Sequence, residues 1–124
     1  MKGSIKSFKD LDTWKEGHKL VISIYKLVKK LPKDETFGLT SQMKRAVVSI
    51  TSNIAEGFGR SSYKDKSHFY QIAFGSIIEL RNQLLIAKDV GYINSTEYIE
   101  NEEQAEKVER ICRGLIKKSQ EFYS

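Results

Sequence analysis

Two carboxylates, two histidines and one basic turn are the residues of this chain whose types can do chemistry. Glu56 ends an ordered polar row, Gln42, Arg45, Ser49, Asn53 and Glu56, and Ser76, Glu79 and Gln83 repeat the same three- and four-residue spacing further on. That spacing places side chains on one face of a helix. Glu56 and Glu79 would make an acid pair of the kind used in general acid–base catalysis. Carboxylates on helices more often hold hydrogen bonds or salt bridges, however, and Arg45 and Arg81 are at hand to neutralise them. Gln42, Ser49, Asn53, Glu56, Ser76, Glu79 and Gln83 therefore read as an internal or intersubunit network.

The other reactive constellations are incomplete. Carboxylate-bridged metal bundles need inward Glu residues and Glu-x-x-His on two helices. No Glu-x-x-His occurs; Asp65 and His68 have the nearest spacing, at a helix start where Asp65 has a capping role. His18 and His68 are the only histidines, and neither has a partner close in sequence. Small helical ribonucleases use an Arg followed a few residues later by His, and Arg60 lies too far before His68 to serve. Cys112 is the single cysteine, which excludes an intramolecular disulfide and a cysteine-based metal site. Gly57-Phe58-Gly59-Arg60 lacks the Gly-Lys-Ser/Thr of a phosphate loop, and no strand precedes it. The expectation is a protein that is not an enzyme and uses no cofactor or metal.

Charge is what remains. The net charge is +5, and residues 1–66 hold fourteen of the twenty-one Lys/Arg but only seven of the sixteen Asp/Glu, leaving seven and nine for the rest. A basic half can footprint on RNA or DNA, whose phosphates supply most non-specific affinity. The candidate contacts are Lys15, Lys19, Lys26, Lys29 and Lys30, then Lys44 and Arg45, then Arg60, Lys64 and Lys66. The last three surround a helix start, where backbone N–H groups also favour anions. Two structural readings compete: a mildly basic surface that binds nothing, and a pair of glycines, Gly57 and Gly59, that end one helix and permit a sharp reversal.

Helices must position all of these residues. The chain's 124 residues suit one domain with a real core, 40% hydrophobic and 30% charged. Residues 1–10 read as a partly flexible N-terminal segment. A first helix is expected from Thr13 to Leu31, with Trp14, His18, Val21, Tyr25 and Val28 along one face, widened by Leu20, Ile24, Leu27 and Leu31, and ended by Pro32, the only proline. A second runs from Thr40 to Gly57 on a seam of Met43, Val47, Ile50 and Ile54. A third follows Ser62, a capping residue, with Phe69, Ile72, Ala73, Ser76, Leu80, Leu84 and Ala87 inward, and Gly91 closes it. The fourth spans Ser95 to Phe122; its acids crowd the start and its bases the end, as the helix dipole favours. Short connections between long amphipathic helices predict an all-α fold, an antiparallel up-and-down four-helix bundle. No apolar run approaches the roughly 20 residues of a membrane span, and the N-terminus lacks a signal-like apolar stretch. A cytoplasmic location is the default expectation.

The runs LPKDETFGLTSQMKRAVVSITSNIAEGFGRSS and FYQIAFGSIIELRNQLLIAKDVGYI resemble the bacterial family named for intervening sequences in 23S ribosomal RNA genes. The resemblance covers about Phe8 to Ser119 and is most specific at Ser49, Asn53, Ile54, Ala55, Glu56 and Gly57, and at Ala73, Gly75, Ser76 and Glu79. It implies an antiparallel bundle that assembles with itself into a ring, most often a homopentamer. A related branch comprises the accessory proteins of diversity-generating retroelements, which implies RNA or DNA and a reverse transcriptase as partners. The leading reading is a non-enzymatic oligomer that binds nucleic acid non-specifically through its basic surface. The alternative is a protein–protein adaptor or scaffold, a ring with no nucleic-acid role.

Overall fold

The computed structural model describes residues 4–122. Its four α-helices are α1 (Asp12–Leu27), α2 (Leu39–Phe58), α3 (Tyr63–Asp89) and α4 (Ser95–Gln120), with short 3-10 turns at Phe8–Asp10, Val28–Lys30 and Lys33–Glu35. No strand occurs among the described residues.

Local chemistry explains most of the boundaries. Within the N-terminal segment, Ser7 Oγ accepts the Lys9 N–H at 3.2 Å, while the Asp10 carboxylate accepts the N–H groups of Lys6 and Ser7. Residues 1–3 lie outside the described residues. The first helix was expected to reach Leu31, but its α-geometry stops at Leu27 and tightens into the 3-10 turn Val28–Lys30. The cause is Pro32, which forces Leu31 into an extended conformation (ψ 148°) and so withdraws it from helix. The start of α2 lacks a side-chain cap on Gly38. Glu35 substitutes: its carboxylate accepts the Leu39 N–H at 3.0 Å, and its other oxygen accepts the Tyr92 hydroxyl at 2.7 Å.

The third helix is capped as the sequence suggests, by Ser62 Oγ on the Asp65 N–H at 3.1 Å. It closes at Gly91, whose φ of +88° is the only positive value among the described residues. The Tyr92 N–H bonds Ala87 O at 2.9 Å and the Gly91 N–H bonds Lys88 O at 3.0 Å, a Schellman closure. Asn94 and Glu97 cap α4 reciprocally, each backbone N–H bonding the other side chain at 2.8 Å. This helix ends at Gln120, two residues before the expected Phe122.

Consecutive helices run antiparallel. Gly17 meets Ile50 and Thr51 while Tyr25 meets Lys44; Gly57 meets Tyr70 while Ser49 meets Ser76. Tyr70 meets Cys112 while Lys88 meets Tyr98. The fourth helix returns beside the first, through Gln104 on Glu16 and Ser23 on Asn101. The pairs α1/α3 and α2/α4 sit on the diagonals without close backbone approach. Between the four lie fully buried Leu20, Ile24, Met43, Val47, Ile50, Ile54, Ile77, Leu80, Leu84, Val108 and Cys112.

Phase differs from expectation on two helices. On α1 Leu20, Ile24 and Leu27 are buried as expected and form the centre of the inward face with Gly17, whereas His18 and Tyr25, expected along the same face, are exposed. On α3, Tyr70 and Ile77 enter the core while Ile72 stays 41% exposed. Apolar residues encircle α3, so its pattern does not single out one face. Arg81 of α3 bridges Glu102 and Glu109 of α4, and the one acid of α2, Glu56, pairs with Arg60 instead.

Candidate nucleic-acid interface

The polar rows of α2 and α3 meet only at their centre. Ser49 Oγ and Ser76 Oγ are 2.8 Å apart, and Asn53 Nδ2 donates to Ser49 Oγ at 3.0 Å and to Ser49 O at 2.8 Å. Gln42 and Glu79 stay exposed and line a polar depression of about 340 Å³ with Arg45 and Ser49. Glu56 lies outside this set: its exposed carboxylate pairs with Arg60 at 3.1 Å, one helical turn on. Gln83 is buried, and its Oε1 has no partner among the described residues. Glu56 and Glu79, which the sequence reads as members of one network, are therefore two separately satisfied or solvated groups.

The basic residues fall into three groups. Lys26, Lys29 and Lys44 come together, joined by Lys33 of the α1–α2 connection, which no helical spacing marks. They rim a groove of about 690 Å³ between the end of α1, the α1–α2 connection and the start of α2. Its floor is apolar, from Val21, Ile22, Val28, Leu31 and Pro32, with the Tyr25 ring on one wall. No carboxylate lines it. Asp34 and Glu35 belong to the same connection, but Glu35 is held by Leu39 and Tyr92, and those bonds keep its carboxyl below the usual range. Lys44 stands over the Tyr25 ring, 5.2 Å from its centre.

A second group, Lys15, Lys19 and Lys30, is partly neutralised by carboxylates of α1 and α4. Lys30 pairs with Glu97, and Lys19 with Glu16 at 3.1 Å. Lys15 is exposed near the first turn of α1 and contributes to lowering the Asp10 carboxyl, behind the Lys6 and Ser7 backbone bonds. The third group is the Arg60–Lys66 turn at the opposite end of α2. Arg60 lies over Phe69 at 4.5 Å and pairs with Glu56, while Lys64 is exposed. Lys66 donates to Phe58 O at 2.6 Å, tying off the end of α2, and burial lowers its ammonium. Arg45 projects from the outer ridge of α2 between the polar depression and Tyr25.

Gly57 has a role the sequence did not suggest. It is helical and buried, and a Cβ there would meet the Tyr70 ring at 2.7 Å. Gly59 has ordinary right-handed geometry, φ −76°. Close approach of α3, rather than a left-handed turn, requires the glycine at position 57.

The outer side of α3 carries Ile72, Ile78, Leu85, Ile86 and Val90, each between 41% and 57% exposed. Gly75 on the same side has open space around it. A helix that is apolar all round expects cover on every side. His18 stacks on Trp14 (4.7 Å, 13° between planes), and His68 meets Phe69 edge-on. Among the described residues no group of His, Cys, Asp and Glu converges to hold a metal ion, and no helix is long and apolar enough to cross a membrane.

A family model described as 23S rRNA-intervening sequence protein matches residues 9–114. Among solved structures, the chain is similar to a Bacteroides thetaiotaomicron protein of unknown function from the S23 ribosomal protein family, a crystal structure at 1.70 Å. The two are 22% identical with a TM-score of 0.79, over 85% of this chain and 98% of the other. No curated protein matches the chain.

Proposed function

This chain belongs to the 23S rRNA-intervening sequence protein family, and from that premise we propose that it is a non-enzymatic homo-oligomer that binds RNA or DNA through the lysine-rimmed groove of α1 and α2. The observation that carries the reading is the groove itself, with Lys26, Lys29, Lys33 and Lys44 around it and no carboxylate in its lining. Uncompensated ammonium groups on a shared concave surface concentrate polyanions. They contact phosphates and position the chain without reading sequence. Lys15 and Lys64 extend the field, whereas Lys19, Lys30 and Arg60 contribute less because each already has a carboxylate.

Self-association supplies the rest of the footprint. The exposed apolar face of α3 supports a subunit contact, and the resemblance at Ser49–Gly57 and Ala73–Glu79 favours a pentameric ring; cytoplasmic residence is the default for a chain of this composition. An adaptor is the second reading. It is favoured by the α2–α3 depression of Gln42, Arg45, Ser49 and Glu79, a mixed-charge surface suited to a reverse transcriptase or another protein.

Binding of a labelled RNA and a labelled DNA, followed by anisotropy across a salt series, tests the proposal. Affinity should fall steeply with salt, and the Lys26→Glu/Lys29→Glu double variant should lose it. Absent or salt-insensitive binding removes the nucleic-acid role and leaves the adaptor. Light scattering tests assembly: Ile78→Glu/Ile86→Glu should return monomers, and an unchanged mass would eliminate the α3 face as the contact.

A further inference from the structure

The lysine-rimmed groove holds more apolar surface than phosphate binding needs. Tyr25, on its wall, is 41% exposed in the last turn of α1, although the buried Ile24 and Leu27 flank it. Two helical turns earlier on the same face stands His18, exposed, its imidazole laid flat against Trp14. Seven residues at a rise of about 1.5 Å set the two rings roughly 10 Å apart along α1. Two exposed rings seven residues apart on one helix face, beside a row of lysines, offer stacking surface next to an electrostatic one.

We propose that this face of α1 selects single-stranded nucleic acid, stacking unpaired bases on Tyr25 and His18 while Lys26, Lys29 and Lys44 take the phosphates. This deepens the nucleic-acid reading and rests on it. A duplex keeps its bases inside, so exposed rings add nothing to its binding; a single strand offers a π-face at every nucleotide. Lys44, over the Tyr25 ring at 5.2 Å, sets an ammonium group against one face of the ring, so a base stacks on the other face with a phosphate partner close by. The Trp14 indole and the edge-on Phe8 ring, 5.4 Å away, hold the His18 plane.

The test compares four labelled probes of equal length with the full-length protein at low salt: a uridine oligomer, a thymidine oligomer, an RNA hairpin and an abasic single strand. The single strands should bind about tenfold or more tighter than the hairpin or the abasic strand, the size one or two base–aromatic stacks supply. Tyr25→Ala should remove most of that preference, lowering affinity for the normal single strands far more than for the hairpin or the abasic strand, and Tyr25→Phe should restore it. Lys29→Gln should weaken all four probes and lower the salt slope by about one. Unchanged helicity and melting of each variant keep the comparison interpretable. Equal affinity for abasic and normal strands, or a Tyr25→Ala variant that keeps its preference, overturns the stacking proposal and leaves phosphate binding standing. No affinity for any probe overturns both.

Discussion

Ser49 and Ser76 share a hydrogen bond of 2.8 Å across the α2–α3 seam, and Asn53 closes the contact by donating to Ser49 Oγ at 3.0 Å. Three small polar side chains, each half-buried, hold the middle of the broadest helix pairing. Asn53→Leu removes both donations to Ser49 and puts an apolar group at the boundary. It should lower stability by about 1 kcal/mol, the usual net worth of such bonds. Glu56→Ala, outside this set and paired only with exposed Arg60, should stay within about 0.5 kcal/mol of the parent. Denaturant midpoints for the two variants decide the matter; equal losses would mean that Glu56 belongs to the network after all.

Glycine substitutions on two helices should shift melting in opposite directions. At Gly57 a methyl would stand 2.7 Å and 2.9 Å from the Tyr70 ring and 3.1 Å from Phe69 Cβ. Tyr70 is 3% exposed and has nowhere to turn, so Gly57→Ala should cost about 1–3 kcal/mol through overpacking. At Gly114 nothing lies within 4 Å, and Gly114→Ala should gain about 0.5–1 kcal/mol from helix propensity. Melting curves for the pair check both signs. A neutral Gly57→Ala would show that α3 recedes without strain.

Glu16 gives the bundle an acid-sensitive clamp. Its carboxylate receives Gln104 Nε2 at 3.1 Å, Lys19 at 3.1 Å and Lys107 at 3.3 Å. These partners, Gln104 foremost, pull its pKa down to about 2 from 4.5. A depressed folded value stabilises above the unfolded one and is lost as pH falls, here from about 4.5 down through 2. The melting difference between parent and Glu16→Gln should therefore be largest near neutrality and shrink across that window. A difference independent of pH would mean that the carboxylate's charge does not hold α1 to α4.

Cys112 should behave as a reporter of opening. Its thiol is fully buried, donates to Tyr70 O at 3.5 Å, and burial raises its pKa to about 12. Only the thiolate reacts with alkylating agents, so labelling at neutral pH should be slow in the native protein and follow denaturant unfolding. Rapid labelling without denaturant would reveal local separation of α3 and α4.

Much of this architecture was legible because its signals are local. Ser62 is the cap the sequence suggests, Pro32 ends the first helical segment, and Gly91 takes the left-handed conformation its position after Asp89 requires. The second helix kept its seam, since Met43, Val47, Ile50 and Ile54 repeat at helical spacing with polar residues opposite. The third did not, because Ile72 and Ile77 are equally apolar and periodicity alone does not rank them. Position 35 was opaque for another reason: Glu35 caps α2 and binds Tyr92, a residue 57 positions away.

Residue types and spacing thus determined four helices, their order, the family and a surplus of positive charge in the first half. Spacing measures the angle of a side chain around its own helix axis, and that angle is fixed by local geometry. Tertiary structure decided which bases act together, because a partner's location depends on how helices dock. Docking gave Lys30 to Glu97 and Arg81 to Glu102 and Glu109. It left Lys26, Lys29, Lys33 and Lys44 around one groove. It also turned Tyr25 and His18 outward, because Leu20 and Ile24 already fill the space between α1 and its neighbours.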